Sequence, residues 1–274
     1  MKNIYKRIFP VFCLAATMSL GSCIEEVEPE DDYATNEQVG ASASALEASV
    51  NGIPTQMTEG YLVYKGEQVN ETDMGYPQFM IALTEMLGDM YPGGEPGYDH
   101  YTSYNTLQGT GLSETGYYSY LPWFTLYQFV KTANDVIGAV DLESANDQQK
   151  GLLGSAYAAR AFDYYMLMTL FEPVENKYTD CSKVLGLTVP IVTEATTGET
   201  AKNNPRVSHK EMMEFILSDL DKAIECLSVT DAKSRRLPGL AAAYAIRAKV
   251  HLWDADYENA AKLSLIHISE PTRP

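Results

Sequence analysis

The chain has 274 residues, 45% of them hydrophobic, and carries 37 acidic against 20 basic side chains for a formal charge of −17. Phosphate backbones and anionic headgroups repel such a polyanion, which disfavours nucleic-acid binding and a purely electrostatic membrane role. At the N-terminus, Lys2, Lys6 and Arg7 flank an apolar run from Ile8 to Leu20 that only Pro10, Thr17 and Ser19 interrupt. The run is shorter than the ~20 apolar residues of a permanent span, but it has the charge and length of a cleavable leader. Without the leader's three cations, residues 23–274 carry −20.

Leu20-Gly21-Ser22-Cys23 closes this run and resembles a bacterial lipobox, in which small residues fit the peptidase and the cysteine thiol takes the lipid. Residues 1–22 are therefore expected to be a lipoprotein signal peptide, with Cys23 as the lipidated first residue. Residues 23–38 are expected to be an acidic tether. Glu25, Glu26, Glu28, Glu30, Asp31 and Asp32 surround Pro29, and so charged a stretch repels itself and has too little apolar surface to fold. Acidic residues directly after a lipidated cysteine resemble the surface-export signal of Bacteroidetes lipoproteins, although charge alone fits a solubilising spacer equally well. Cys181 and Cys226 remain in a compartment that permits disulfides. Their spacing leaves both a pair and two separate thiols open.

Beyond the tether the periodicity is mostly helical. Ala41–Val50 reads as a first helix, with Asn51-Gly52 as its stop signal. Tyr76–Tyr91 follows, with Phe79, Met80, Leu83, Met86, Leu87 and Met90 on one face. Residues 92–120 alternate glycines with Tyr98, Tyr101, Tyr104, Tyr117, Tyr118 and Tyr120, and read as a long aromatic loop. Loops of this length are uncommon in compact domains and often functional.

From Pro122 a helix places Trp123, Leu126, Tyr127, Val130, Ala133, Asn134 and Ile137 on one stripe. The next spans Asn146–Phe171, with Ala156, Ala158, Ala159 and Ala161 small enough for close helix approach. Arg160, in mid-helix among these alanines, is expected to satisfy a buried carboxylate. Trp123, Tyr157, Tyr164 and Trp253 are expected in the core. Leu187–Val192 is β-branched and contains Pro190, so it reads as extended. Ser208 and Glu211 form a capping-box pattern before a helix that buries Met213, Ile216, Leu217, Leu220, Ala223, Ile224 and Leu227. Leu240–Trp253 is another helix, and Tyr257 opens its successor, where it is expected to wedge between helices. Residues 263–274 match, codon for codon, the translation of a common sequencing adapter. They are expected to be a read-through artefact, and His267 enters no site.

The expected fold is mainly α: irregular tetratricopeptide-like helical repeats with long loop inserts over residues 39–262, truncated at the C-terminus. The blocks Ala133-Asn134-Asp135-Val136-Ile137, Ala156-Tyr157-Ala158-Ala159-Arg160-Ala161-Phe162-Asp163-Tyr164-Tyr165, Gly186-Leu187-Thr188-Val189-Pro190-Ile191-Val192 and Pro205-Arg206-Val207-Ser208, in this order after a lipobox, resemble the SusD/RagB family. So does Asp256-Tyr257-Glu258-Asn259-Ala260 at the final helix pair. The resemblance implies a nutrient-binding lipoprotein on the outer-membrane surface, acting as a lid on a SusC-like TonB-dependent transporter. The expected ligand is an oligosaccharide. An oligopeptide, as for RagB-type members, or a protein partner alone are the alternatives.

Glycan recognition needs aromatic faces for sugar C–H groups, with amides and carboxylates for the hydroxyls. Asp89, Tyr91, Tyr98, Asp99, Tyr101, Tyr104 and Asn105 supply that mixture and are the candidate ligand residues; tyrosines that pin a long loop would give the same pattern. His100, His209 and His251 are scattered, and no hydrolase, zinc or phosphate-loop motif is present. Neither catalysis nor a cofactor or metal is expected.

Overall fold

The computed structural model describes residues 34–58, 63–64, 67–68, 76, 80 and 117–269. Helix α1, Asn36–Ala41, begins inside the stretch expected as tether, and α2, Ala43–Gln56, follows after the cap Ser42. The strands β1, Val63–Tyr64, and β2, Glu67–Gln68, pair antiparallel with Val63 opposite Gln68. Long helices then follow: α3, Tyr117–Ala139, and α4, Asp147–Phe171. After the one-turn α5, Gly198–Ala201, come α6, His209–Val229, α7, Leu240–Trp253, and α8, Tyr257–Ser269.

The mainly helical architecture agrees with the sequence. Each long helix packs antiparallel on the next, in the order α2, α3, α4, α6, α7, α8. Helix α4 lies at the centre. Leu153 and Gly154 through Ala161 are buried without a break, so it has no wet face over those turns. Its N-terminus is closed by a reciprocal capping box between Asn146 and Gln149. The four alanines do what their size suggests, and Gly154 goes further. A Cβ at Gly154 would lie 2.7 Å from Leu227 Cγ and 3.0 Å from Cys226 Cβ, so α6 approaches α4 where only glycine fits. One apolar cluster joins Leu126, Val130, Tyr164, Leu167, Met168, Ile216 and Leu220. A second joins Leu46, Val50 and Ile53 to Ala133, Ile137, Leu153 and Ala156.

Several local expectations fail for identifiable reasons. Asn51-Gly52 does not end α2, because Ile53 shares a buried face with Leu46 and Val50, and burying it outweighs the local breaker signal. Asn51 instead donates its amide to the Glu47 carbonyl at 2.9 Å, supporting the turn it was expected to stop. Helix α3 starts five residues before Pro122, so Tyr117, Tyr118 and Tyr120 are helical and not loop. Trp253 is 42% exposed and Tyr257 66% exposed, and neither is core. Trp253 lies in the last turn of α7, level with the first residue of α6, where no further turn of α6 remains to cover it. Tyr257 opens α8, which packs on α7 through the small Ala260. Cys181 and Cys226 are unpaired thiols, the latter buried.

Candidate functional site

Residues 187–194 form an extended strap laid across α3 and α4. Its first half pairs with the segment before α6, where the Thr188 N–H donates to the Val207 carbonyl at 2.8 Å and the Val207 N–H to the Val189 carbonyl at 3.4 Å, and side chains of α3 and α4 hold Pro190 and Val192. Gly186, at φ +73°, turns the chain into it. Tyr127 Oη donates to the Pro190 carbonyl at 2.6 Å, and Asn134 Nδ2 donates to the Val192 carbonyl at 3.0 Å. Tyr164 Oη donates to the same carbonyl at 2.9 Å and accepts the Val192 N–H at 2.6 Å. Burial pushes the Tyr127 and Tyr164 phenols up, so both hold their protons as donors. Arg206 Nη1 donates to the Thr188 and Phe171 carbonyls, and its guanidinium lies 5.7 Å from the Trp123 ring centroid. Trp123, Tyr127, Tyr164, Phe171 and Phe215 form a continuous aromatic layer at centroid distances of 5.0–6.4 Å.

Arg160 ties this layer to the helices. Its Nε and Nη2 reach the two oxygens of Asp219 at 2.7 and 2.8 Å. Nη1 serves Asn134 Oδ1 at 2.7 Å and Glu194 at 2.6 Å. Burial opposes the guanidinium charge, but hydrogen bonds and charges from Asp219 and Glu194 more than offset it and raise its pKa. Burial likewise pushes the Asp219 carboxyl up against the pull of Arg160; with both oxygens accepting N–H groups, the geometry is that of an ionised carboxylate. The expected partner of Arg160 is thus found. Its identity had a sequence signal that went unread: Asp219 stands on the apolar face of α6 between Ile216, Leu220 and Ala223.

Asp163, one turn beyond Arg160, is 1% exposed, and neither of its oxygens has a hydrogen-bond partner. Burial pushes its pKa well above the usual carboxylate range. His209 sits between two carboxylates: Nδ1 is 2.9 Å from Glu172 and Nε2 is 3.1 Å from Asp254, joining the ends of α4, α6 and α7. Among the described residues, no group of three or more His, Cys, Asp or Glu side chains could hold a metal ion. Among them, too, no helix is long and apolar enough to cross a membrane.

Asp89, Tyr91, Tyr98, Asp99, Tyr101, Tyr104 and Asn105 lie outside the described residues, as do Cys23 and most of the helix expected over 76–91. Of that helix, Tyr76 and Met80 are described as helical and pack against the core. In sequence, α3 begins twelve positions after Asn105. In the first turns of α3 the Tyr120 and Phe124 rings stack 5.6 Å apart at 15°.

A SusD-like family model, described as starch-binding associating with outer membrane, matches residues 84–252. Two curated SusD-like proteins of Formosa agariphila are 30% and 33% identical to the chain over 152 residues each. Those segments are 55% and 54% of this chain but 27% and 26% of the relatives, about a quarter of their length. The fold also matches solved structures. A SusD-like carbohydrate-binding protein from Bacteroides vulgatus aligns with a TM-score of 0.64 at 20% identity, over 85% of this chain and 46% of that one. A laminarin-binding SusD-like protein aligns with a TM-score of 0.55 at 17% identity, over 84% of this chain and 44% of that one.

Proposed function

The chain belongs to the SusD-like family, and from that premise we propose that it is a cell-surface lipoprotein that binds a glycan for delivery to a SusC-like TonB-dependent transporter. The observation that carries this reading is the extent of the family match. Residues 84–252 include all seven ligand candidates, from Asp89 to Asn105, together with the helical frame they lead into. Tyrosine rings offer apolar faces to sugar C–H groups, while Asp89, Asp99 and Asn105 offer acceptors and donors for hydroxyls. Lipid on Cys23 supplies the anchor, and the acidic residues after it supply slack and a surface address.

The starch-binding description of the family and the laminarin-binding neighbour name the first two probes. Calorimetric titration of the chain with maltooligosaccharides and laminarin oligosaccharides is expected to show saturable binding of at least one. Binding of short peptides with no response to either glucan would overturn the reading. Transporter delivery is tested separately, by co-purification from outer membranes of a large β-barrel protein with the lipidated chain.

A further inference from the structure

A cleft of about 250 Å³ opens between α2, the first turns of α4 and the loop 230–237 that joins α6 to α7. The loop wall is built in advance. Asp231 Oδ1 accepts the Ala232 and Leu240 N–H groups, both at 2.8 Å, and so caps α7 in place of Gly239, which has no side chain to do it. Ser155, fully buried, holds the Pro238 carbonyl at 2.9 Å. Gly151 lies beneath, where a Cβ would come 2.8 Å from the Thr230 carbonyl oxygen, so glycine lets the loop settle onto α4.

The polar groups that face the cleft are by contrast uncommitted. Among the described residues, the Glu47 carboxylate, the Gln148 amide, the Thr230 hydroxyl and the Lys233 ammonium make no hydrogen bond or ion pair. Asn51 spends its Nδ2 on the Glu47 carbonyl and leaves Oδ1 free. Leu152 and Leu237 supply an apolar wall.

This inventory selects by chemistry. An anion meets Glu47 and Asp231, a cation meets Lys233, and a purely apolar ligand strands the polar groups without partners. A polyhydroxy ring satisfies donors and acceptors together and lays its C–H face on the leucines. The volume falls below the ~300–1,000 Å³ of drug-sized ligand pockets, so it admits a single ring. We propose that this cleft binds one neutral sugar residue, forming a saccharide subsite whose described lining lies outside residues 89–105. The proposal stands on the geometry of the cleft and does not depend on the reading of that segment. Among the described residues no aromatic side chain lines the cleft, so the expected dissociation constant is on the order of 1 mM.

The test is a backbone-amide NMR titration of the chain with methyl glucoside, methyl galactoside and N-acetylglucosamine, with acetate and glycine as charged controls. The expected result is saturable shifts at Gly151, Ala232 and Ser234 with a sugar, and about tenfold weaker binding in Gln148→Ala/Lys233→Ala, two exposed positions. Shifts from acetate or glycine as large as those from sugars, no sugar response, or an unaffected double variant would overturn it. A Tyr98→Ala/Tyr101→Ala variant separates the two readings. It is expected to keep these monosaccharide shifts even where oligosaccharide binding is lost, and their disappearance in that variant would overturn the cleft.

Discussion

Arg160 and Asp219 meet as a two-pronged ion pair at 2.7 and 2.8 Å, with side chains only 2% and 1% exposed. The pair joins α4 and α6, which pack on each other most extensively among the described helices, and Asn134 and Glu194 complete it. Removing one partner strands a buried charge, so Asp219→Ala is expected to cost about 3–5 kcal/mol. Replacing both, as Arg160→Met/Asp219→Leu, is expected to recover most of that loss. Denaturant unfolding of Asp219→Ala and of the double variant tests this; equal losses in the two would refute it.

Gly154 sets the spacing of α4 and α6. Its absent Cβ would meet Leu227 Cγ at 2.7 Å and the Ala223 carbonyl oxygen at 3.1 Å. Gly154→Ala is therefore expected to destabilise by about 1–3 kcal/mol through overpacking, despite the better helix propensity of alanine. A midpoint equal to or above wild type in urea would show that the helices can move apart freely.

Asp163 works against the fold at neutral pH. Its folded pKa is raised by burial above the ordinary 3.8, so the native state binds the extra proton and stability falls as pH rises through 3.8 toward the folded value. Asp163→Leu removes that dependence and the unpartnered oxygens together, and is expected to stabilise by about 1–3 kcal/mol at pH 7. Melting curves from pH 4 to 8 should fan apart, with the variant gaining as pH increases; parallel curves would contradict this.

His209 gives a pH dependence of the same direction from the opposite cause, since here the fold favours the charged form. Burial lowers its pKa, but the hydrogen bonds it donates to Glu172 and Asp254, and their charges, outweigh that and raise it above 6.5. Its contribution is then full below 6.5 and is lost as pH rises through the folded value. His209→Gln should flatten stability in that window. Proton NMR of the imidazole Cε1–H provides the direct check, and a midpoint at or below 6.5 would remove the basis for the effect.

Much of this was legible before any coordinates. The stripes of α3, α4 and α6, the extended strap at Pro190 and the need of Arg160 for a buried acid all followed from spacing and charge, because each rests on local periodicity. What failed depended on tertiary neighbours. Asn51-Gly52 signals a stop only if Ile53 has nothing to bury against. Trp253 continues the buried stripe of Ala243, Ile246 and Val250, yet α6 begins too late to cover it. Gly154 looked unremarkable, since only the position of Leu227 shows why its hydrogen is required. The candidate ligand residues rest on composition and on a place after the second helix that resembles the family's ligand region, and a pattern of tyrosines and acids does not encode which of them converge.

The most direct test of the account is calorimetry of the chain and of Tyr98→Ala/Tyr101→Ala with the tighter-binding of maltooligosaccharides and laminarin oligosaccharides. Each lost aromatic face is expected to cost about 0.5–1.5 kcal/mol. The account predicts saturable wild-type binding that weakens by about tenfold or more in the double variant, with unchanged thermal unfolding. Glycan binding of equal strength in both proteins, or none in either, would contradict it.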